Sequence, residues 1–169
     1  MKLENMARQP GALLKRRAET VAVSESSTGG LISAALLSIP GASAYFLGGG
    51  VIYTGFARRA LLDLPAELPA ETRSASEAYA ALCARTIRDK LGATWGLAES
   101  GATGPSGNRY GDAAGHCCLA VAGPADMVIT LETGHGDREA NMWAFAGAAL
   151  ALLTKAIETV DNAGPRPQP

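Results

Sequence analysis

The sequence lacks the features that mark several large classes of protein. Its 15 lysine and arginine residues are balanced by 16 aspartate and glutamate residues, which leaves a net charge of −1. A balanced charge gives no electrostatic support for binding nucleic acid or a membrane surface, since both partners favour a basic excess. The two histidines and three cysteines do not have the spacing of metal ligands. We therefore predict no nucleic acid, no membrane, no metal and no other cofactor.

Cysteines and long apolar runs are also scarce, and both bear on where the protein works. Cys117 and Cys118 are adjacent in the sequence, so in a strand they would point to opposite faces and could not bridge each other. Unbridged cysteines, Cys83 included, are typical of reducing compartments. The apolar runs are interrupted before membrane-spanning length, and residues 1–11 lack the apolar segment of a signal peptide. We expect a cytoplasmic protein with reduced, buried cysteines.

The pattern that is present is that of an α/β domain. Apolar residues make up 47% of the 169 residues, enough for a core of ordinary size. The pattern predicts five strands, at 20–24, 51–53, 95–98, 116–121 and 127–133. It also predicts five helices, at 3–18 with a break near Pro10, at 29–37, at 57–62, after Ser76 as the N-cap, and at 137–160. The last two strands are too close for a crossover, so they should be antiparallel. We predict one domain over residues 1–162, with a mixed sheet covered by helices on both faces, and a frayed proline-rich tail at 163–169.

The first candidate site is residues 24–30, SESSTGG, between the first predicted strand and the helix that follows it. The free N–H groups at a helix N-terminus can bind a phosphate or the oxyanion of an acyl-transfer intermediate. A serine hydroxyl just ahead of those groups would be well placed as a nucleophile. The alternative is structural: Ser27 or Thr28 caps the helix, and the two glycines ease the turn.

The second candidate site is residues 99–115, ESGATGPSGNRYGDAAG, which follow the strand predicted at 95–98. Its hydroxyl, amide and guanidinium groups could bind sugar or phosphate oxygens; they belong to Ser100, Thr103, Ser106, Asn108 and Arg109. The alternative is a surface loop that merely turns the chain. Since the carboxyl ends of neighbouring parallel strands meet at one edge of a sheet, we expect both loops to border one cavity.

Four motifs resemble those of a known family. Residues 24–30 are similar to A-E-S-C-T-G-G, and residues 40–54, PGASAYFLGGGVIYT, are similar to P-G-A-S-x-Y-F-x-G-G-x-x-x-Y-S. Residues 100–107, SGATGPSG, are similar to T-G-x-A-G-P-x-G, and residues 136–138, GDR, match a motif that opens the last helix. In this order, from about residue 12 to 157, the sequence resembles the C-terminal domain of the competence/damage-inducible CinA proteins, which also occurs alone as nicotinamide-nucleotide amidase.

The resemblance implies a three-layer α/β/α sandwich with a mixed, mostly parallel sheet, and a homodimer. It also implies hydrolysis of the carboxamide of nicotinamide mononucleotide to nicotinic acid mononucleotide and ammonia. Ser26 would then be the nucleophile, with Tyr53 and Arg58 as further catalytic positions. The expected contacts to this pyridine mononucleotide are Glu25, Ser27, Thr28, Gly29, Gly30, Glu99, Ser100, Gly101, Thr103, Gly104 and Arg138.

Arg58 departs from the family pattern, which has a lysine five residues after the tyrosine. A buried lysine can accept the proton of a serine because burial lowers its pKa, whereas an arginine, which stays protonated in proteins, cannot. Glu25, Glu99, Asp112 or His116 could act as a substitute base. Three hypotheses follow: an amidohydrolase with Ser26 as nucleophile, a nucleotide-binding homologue of weak or no activity, and a hydrolase of another amide or ester.

Overall fold

The structure, a computed structural model, describes residues 2–162. Within these residues the chain forms five strands, β1 Val21–Glu25, β2 Phe46–Val51, β3 Trp95–Ala102, β4 His116–Ala122 and β5 Met127–Glu132. It also forms five α-helices, α1 Leu3–Arg17, α2 Leu31–Leu37, α3 Gly55–Leu62, α4 Glu77–Leu91 and α5 Arg138–Asn162. The tail predicted at 163–169 lies outside the described residues.

The five strands form one sheet in the order β2-β1-β3-β4-β5. Strand β1 is parallel to both β2 and β3, and β4 is antiparallel to both β3 and β5. The predicted mixed sheet and the predicted antiparallel pairing of the last two strands are therefore confirmed. Two parallel and two antiparallel pairings make the sheet evenly mixed rather than mostly parallel.

Helices cover both faces of the sheet, as the three-layer prediction requires. Val21 and Val23 of β1 pack in one core with α1, α2 and α5, while Ala22 packs in a second core with α4. This alternation follows from the two-residue period of a strand. Cys117 belongs to the first core and Cys118 to the second, and all three cysteines of the chain are free and buried, as expected.

Three element boundaries differ from the prediction, each because of tertiary packing. Helix α1 continues through Pro10, since packing against α2 and α5 supports the turns on either side of the lost hydrogen bond. The glycines at 48–50 lie inside β2 rather than before it, and a Cβ on Gly49 would come 2.6 Å from Ser33 Oγ of α2. Strand β3 extends to Ala102 because Glu99–Ala102 pair with β4.

Helix α5 is long and apolar enough, by length and composition, to cross a membrane. This corrects the expectation that no segment reaches that length. Over half of its most apolar window, 56%, is buried inside the molecule, where Phe145, Leu150, Leu153 and Ile157 belong to the core. The apolar composition of α5 is that of the central helix in a small soluble-type α/β domain.

Candidate active site

The two candidate loops meet at one edge of the sheet. Strands β1 and β3 are parallel neighbours, with Ser24 opposite Ala98, so the residues that follow each strand lie side by side. They border a cavity of about 280 Å³ whose wall includes Ser26, Tyr53, Arg58, Ser100, Gly101 and Arg109. Of residues 24–30, Ser26 alone lines this cavity, together with Ser100, Gly101 and residues 108–110 of the glycine-rich segment, so the expected shared cavity is found for Ser26 but not for the N–H groups that follow it.

Ser26 directly follows β1 and is partly exposed to the cavity. Its backbone N–H donates a hydrogen bond of 2.9 Å to Glu99 Oε2. No residue within 2–162 forms a hydrogen bond with its hydroxyl. Ser26 is therefore accessible to a ligand, and no side chain of the described chain is in place to accept its proton.

Glu25, at the end of β1, is 1% exposed and holds the start of α2. Its Oε2 accepts hydrogen bonds from the N–H groups of Gly30 at 2.9 Å and Ile32 at 3.0 Å. Its Oε1 accepts from the N–H of Ser33 at 2.8 Å and from the Ser33 hydroxyl at 2.6 Å. The helix N-terminus that we expected to bind an anion of the ligand already binds a carboxylate of the chain itself, so the N–H of Gly30 does not face an oxyanion.

Glu99 lies on β3 and binds the next part of the same loop. Its Oε2 accepts from the N–H groups of Ser26 and Thr28, both at 2.9 Å, and its Oε1 accepts from the Ser27 hydroxyl at 2.5 Å. The Thr28 hydroxyl lies 2.8 Å from Glu99 Oε2 and 2.9 Å from Glu25 Oε2, so it bridges the two carboxyl groups. These two side chains together determine the backbone path of residues 25–30.

The structural alternative for this loop is wrong about the capping residue but correct about the glycines, which turn the chain with φ +64° at Gly29 and φ +105° at Gly30. The N-cap of α2 is Gly30, which has no side chain, and Glu25 rather than Ser27 or Thr28 accepts from the N–H groups of the first turn. Ser27 and Thr28 are buried and face Glu99 rather than the helix end. Glu25, Ser27, Thr28 and Glu99 thus lie behind the cavity wall, where they position Ser26.

Arg138 and the residues at 103–104 lie at the rim rather than in the cavity wall. The Arg138 guanidinium donates to the Gly104 carbonyl at 2.6 Å and to the Tyr53 hydroxyl at 3.1 Å. The carbonyl of Thr103 accepts from Asn141 Nδ2 at 2.9 Å. The first turn of α5 therefore holds the second loop and Tyr53 in place.

The chain is similar to known proteins over almost its whole length. Residues 3–157 match the CinA C-terminal domain. The chain belongs to the CinA C-terminal domain family.

One relative and two solved structures show the extent of the similarity. A CinA-like protein of Parasynechococcus marenigrum is 42% identical over 127 residues, which cover 75% of this chain and 30% of the relative. A CinA superfamily protein from Klebsiella pneumoniae has a solved structure with a TM-score of 0.86 and 26% identity, covering 94% of this chain and 99% of that one. A competence/damage inducible protein from Agrobacterium tumefaciens has a solved structure with a TM-score of 0.75 and 26% identity, covering 96% of both chains. The present chain spans about a third of the length of the curated relatives that it matches.

Arg58, where the CinA pattern has a lysine, is the least compensated charge in the cavity. Its side chain is 7% exposed, and its Nε has no hydrogen-bond partner. The guanidinium lies over the Tyr79 ring, 5.1 Å from its centroid. No carboxylate in residues 2–162 pairs with it, and the cavity wall contains no lysine. Burial of an unpaired charge is costly, and an anionic ligand would relieve that cost.

The substitute bases considered from the sequence are engaged elsewhere. Asp112 accepts two hydrogen bonds from the Arg73 guanidinium, at 2.7 and 3.0 Å. Hydrogen bonding by Arg73, with further contributions from Asn108 and His116, outweighs burial and lowers the pKa of Asp112. Neither Asp112 nor His116 lines the cavity with Ser26.

Sequence reasoning missed Arg73 and Ser74, which complete the far side of the site. They follow a proline- and glutamate-rich segment that reads as a simple connection between α3 and α4. Ser74 lines the cavity, and Arg73 reaches Asp112 across 39 positions of sequence. The only sign of this role in the sequence is the charge of Arg73 between two predicted helices, and that charge does not indicate which acidic residue it binds.

Proposed function

We propose that this CinA-family domain is an amidohydrolase that acts on nicotinamide mononucleotide, with Ser26 as the nucleophile. The observation that supports it is the accessible Ser26 hydroxyl in the wall of a cavity of about 280 Å³, beside Tyr53 and Arg58. Its Oγ attacks the carboxamide carbon, and the C–N bond breaks as ammonia leaves with the serine proton. Water then hydrolyses the acyl-serine ester to release the carboxylate product.

This mechanism requires a group that accepts the proton of the Ser26 hydroxyl. Arg58 cannot accept it, because arginine stays protonated in proteins. Removal of a general base costs about 10²- to 10⁴-fold in rate. We therefore expect slow turnover. The second candidate function, a binding protein of negligible activity, is favoured by the same Arg58 and by the absence of a base next to the Ser26 hydroxyl within the described residues.

The test is ammonia release from nicotinamide mononucleotide by the purified protein, beside Ser26→Ala and Arg58→Lys variants. We expect the first variant to abolish the activity and the second to raise it by about 10²-fold or more, since lysine can act as a base. Activity that appears only in Arg58→Lys would identify the natural protein as a binder.

A matched control is Ser27→Ala, one residue away on the same loop. The Ser27 side chain is buried, and its hydroxyl faces Glu99 rather than the cavity. Ser27→Ala removes one hydrogen bond that positions Ser26 but leaves the nucleophile in place, so the mechanism requires it to keep a measurable part of the activity that Ser26→Ala loses entirely. Equal rates for Ser26→Ala and the unmodified protein would show that Ser26 is not the nucleophile.

We further propose that the protein acts as a cytoplasmic homodimer. Its three free, buried cysteines suit a reducing compartment. Strand β2 is an edge of the sheet, and Leu47, Val51 and the neighbouring Phe56 are 44%, 43% and 88% exposed. An apolar sheet edge favours pairing with a second copy.

A further inference from the structure

Two cavities adjoin at the candidate active site. The second also has a volume of about 280 Å³ and shares Arg58, Ser74, Arg109 and Tyr110 with the cavity that contains Ser26. Its remaining wall is formed by residues 66–68, Ala70 and Arg73. Ligand pockets commonly measure about 300–1,000 Å³, so the two cavities together offer room for a larger ligand than either does alone.

The wall between the cavities carries unneutralised positive charge. Arg58 is buried without an acidic partner among the described residues, and its Nε has no hydrogen-bond acceptor. Arg109 donates to the Tyr110 hydroxyl at 2.9 Å and stacks over that ring, and no described carboxylate forms a salt bridge with it. Arg73 differs, because Asp112 neutralises it.

The acidic side chain of this region does not offset that charge. Glu67 lines the second cavity but is exposed to solvent, where screening weakens its interaction with a buried cation. The hydrogen bond from Arg109 lowers the pKa of Tyr110 against the opposing effect of burial, and the charges of Arg109 and Arg58 act in the same direction. The shared wall thus favours negative groups.

Arg138, one of the expected contacts to the mononucleotide, is less suited to binding phosphate. It is exposed, and its guanidinium donates to the Gly104 carbonyl and the Tyr53 hydroxyl. Arg58 is the opposite case: it is buried, borders both cavities and lacks an acceptor.

We propose that Arg58 and Arg109, in the wall that the two cavities share, form an anion-binding subsite for the phosphate monoester of a ligand that also enters the cavity of Ser26. The planar donor fork of arginine matches phosphate oxygens in pairs. This inference deepens the proposed function. It rests on that function only for the part of the ligand that contacts Ser26. The anion subsite itself requires no catalysis.

The experiment is titration calorimetry with inorganic phosphate at 150 mM NaCl, in a buffer without other oxyanions. We expect phosphate to bind the unmodified protein and to raise its melting temperature. Arg58→Gln should weaken phosphate binding at least tenfold, because it removes the charge and most of the donor fork. Arg109→Gln should weaken phosphate binding as well. Because the Arg109 side chain is exposed, this variant should fold and tests the subsite even if Arg58→Gln does not fold.

Two controls separate this inference from the proposed function. Arg59→Gln removes the neighbouring, exposed arginine, which lines neither cavity, and should leave phosphate affinity unchanged. Ser26→Ala should bind phosphate as the unmodified protein does. Phosphate binding without amide hydrolysis would overturn the proposed function alone. Absent phosphate binding, or equal affinity in the Arg58→Gln and Arg59→Gln variants, would overturn the subsite whether or not Ser26-dependent hydrolysis is found.

Discussion

At the scale of single residues, Glu25 had several possible roles, since an acidic side chain beside a serine can act as a base, a ligand contact or an anchor. In the structure both of its oxygens accept hydrogen bonds from backbone N–H groups: Oε1 from Ser33, and Oε2 from Gly30 and Ile32. A carboxylate is an acceptor at both oxygens. Glu25 therefore anchors the loop and the start of α2 in a way that no amide side chain can reproduce.

We expect Glu25→Gln to lower the free energy of unfolding by about 1–3 kcal/mol. The glutamine amide has one oxygen and one NH₂ group. In either orientation the NH₂ group takes the place of a carboxylate oxygen that accepts from backbone N–H, so at least one buried N–H loses its acceptor. Urea unfolding followed by circular dichroism measures the loss.

The matched control is Glu99→Gln. Glu99 Oε1 meets the Ser27 hydroxyl and the Cys117 thiol, both of which can turn to accept from an NH₂ group, while the Oε2 side keeps its two backbone donors. We expect a smaller loss of unfolding free energy than in Glu25→Gln. A larger loss for Glu99→Gln would contradict this account of the loop.

At the scale of elements, His116 at the start of β4 links three parts of the fold. Its Nε2 donates to the Ala75 carbonyl, ahead of α4, at 2.9 Å, and its Nδ1 contacts the Glu132 carboxylate at the end of β5. Asp112 Oδ2 lies 3.8 Å from Nε2. A carbonyl and a carboxylate both accept hydrogen bonds, so the arrangement suits the doubly protonated imidazolium.

The stability of these links should depend on pH through His116. Burial lowers the pKa of His116, but the hydrogen bonds to Glu132 and Ala75 and the charge of Asp112 outweigh it, so the pKa is raised. A group whose folded pKa exceeds its unfolded value of about 6.5 contributes its full stability below that value. That contribution is lost as the pH rises through the folded pKa.

We expect the difference in unfolding free energy between the unmodified protein and His116→Gln to be larger at pH 6 than at pH 8.5. Urea titrations of both proteins across this pH range measure this difference. Contributions from groups that titrate equally in both proteins cancel when the two unfolding free energies are subtracted. A difference that grows as the pH rises would show that His116 is stabilised in its neutral form.

At the scale of the whole molecule, the two edges of the sheet differ. Edge β2 leads along the chain into α3, whose Phe56 is 88% exposed, whereas edge β5 carries Val128 and Ile129, each 37% exposed. Large exposed aromatic residues at a sheet edge favour association, and such residues carry a large share of the energy of interfaces. This difference assigns the proposed dimer contact to the β2 edge.

We expect sedimentation velocity to show a dimer for the unmodified protein. Phe56→Ser should raise the dimer dissociation constant at least tenfold, as is common for a buried aromatic residue at an interface. Ile129→Ser, the matched change on the opposite edge, should leave it unchanged. A monomeric unmodified protein, or dissociation caused by Ile129→Ser alone, would overturn the assignment.

Much of the fold could be predicted because its signals are local. The spacing of apolar residues indicated four of the five strands and placed the second at 51–53, where it overlaps β2 only at Val51. The short connection at 123–126 required β4 and β5 to be antiparallel. The order of strand, loop and helix put residues 24–30 and the segment after residue 98 at one edge of the sheet. The length of β3 could not be predicted, since residues 99–102 are held in the strand by pairing with β4.

The sequence by itself determined the fold class, the family and the positions of Ser26 and Arg58, because periodicity and motif spacing are properties of neighbouring residues. Only the tertiary structure decided what the acidic residues do: Glu99 reaches Ser26 across 73 positions, and Arg73 reaches Asp112 across 39. The same packing left Arg58 buried without an acceptor among the described residues. Whether a charged side chain anchors a loop or faces a ligand depends on which donors and acceptors the completed fold brings within about 3 Å.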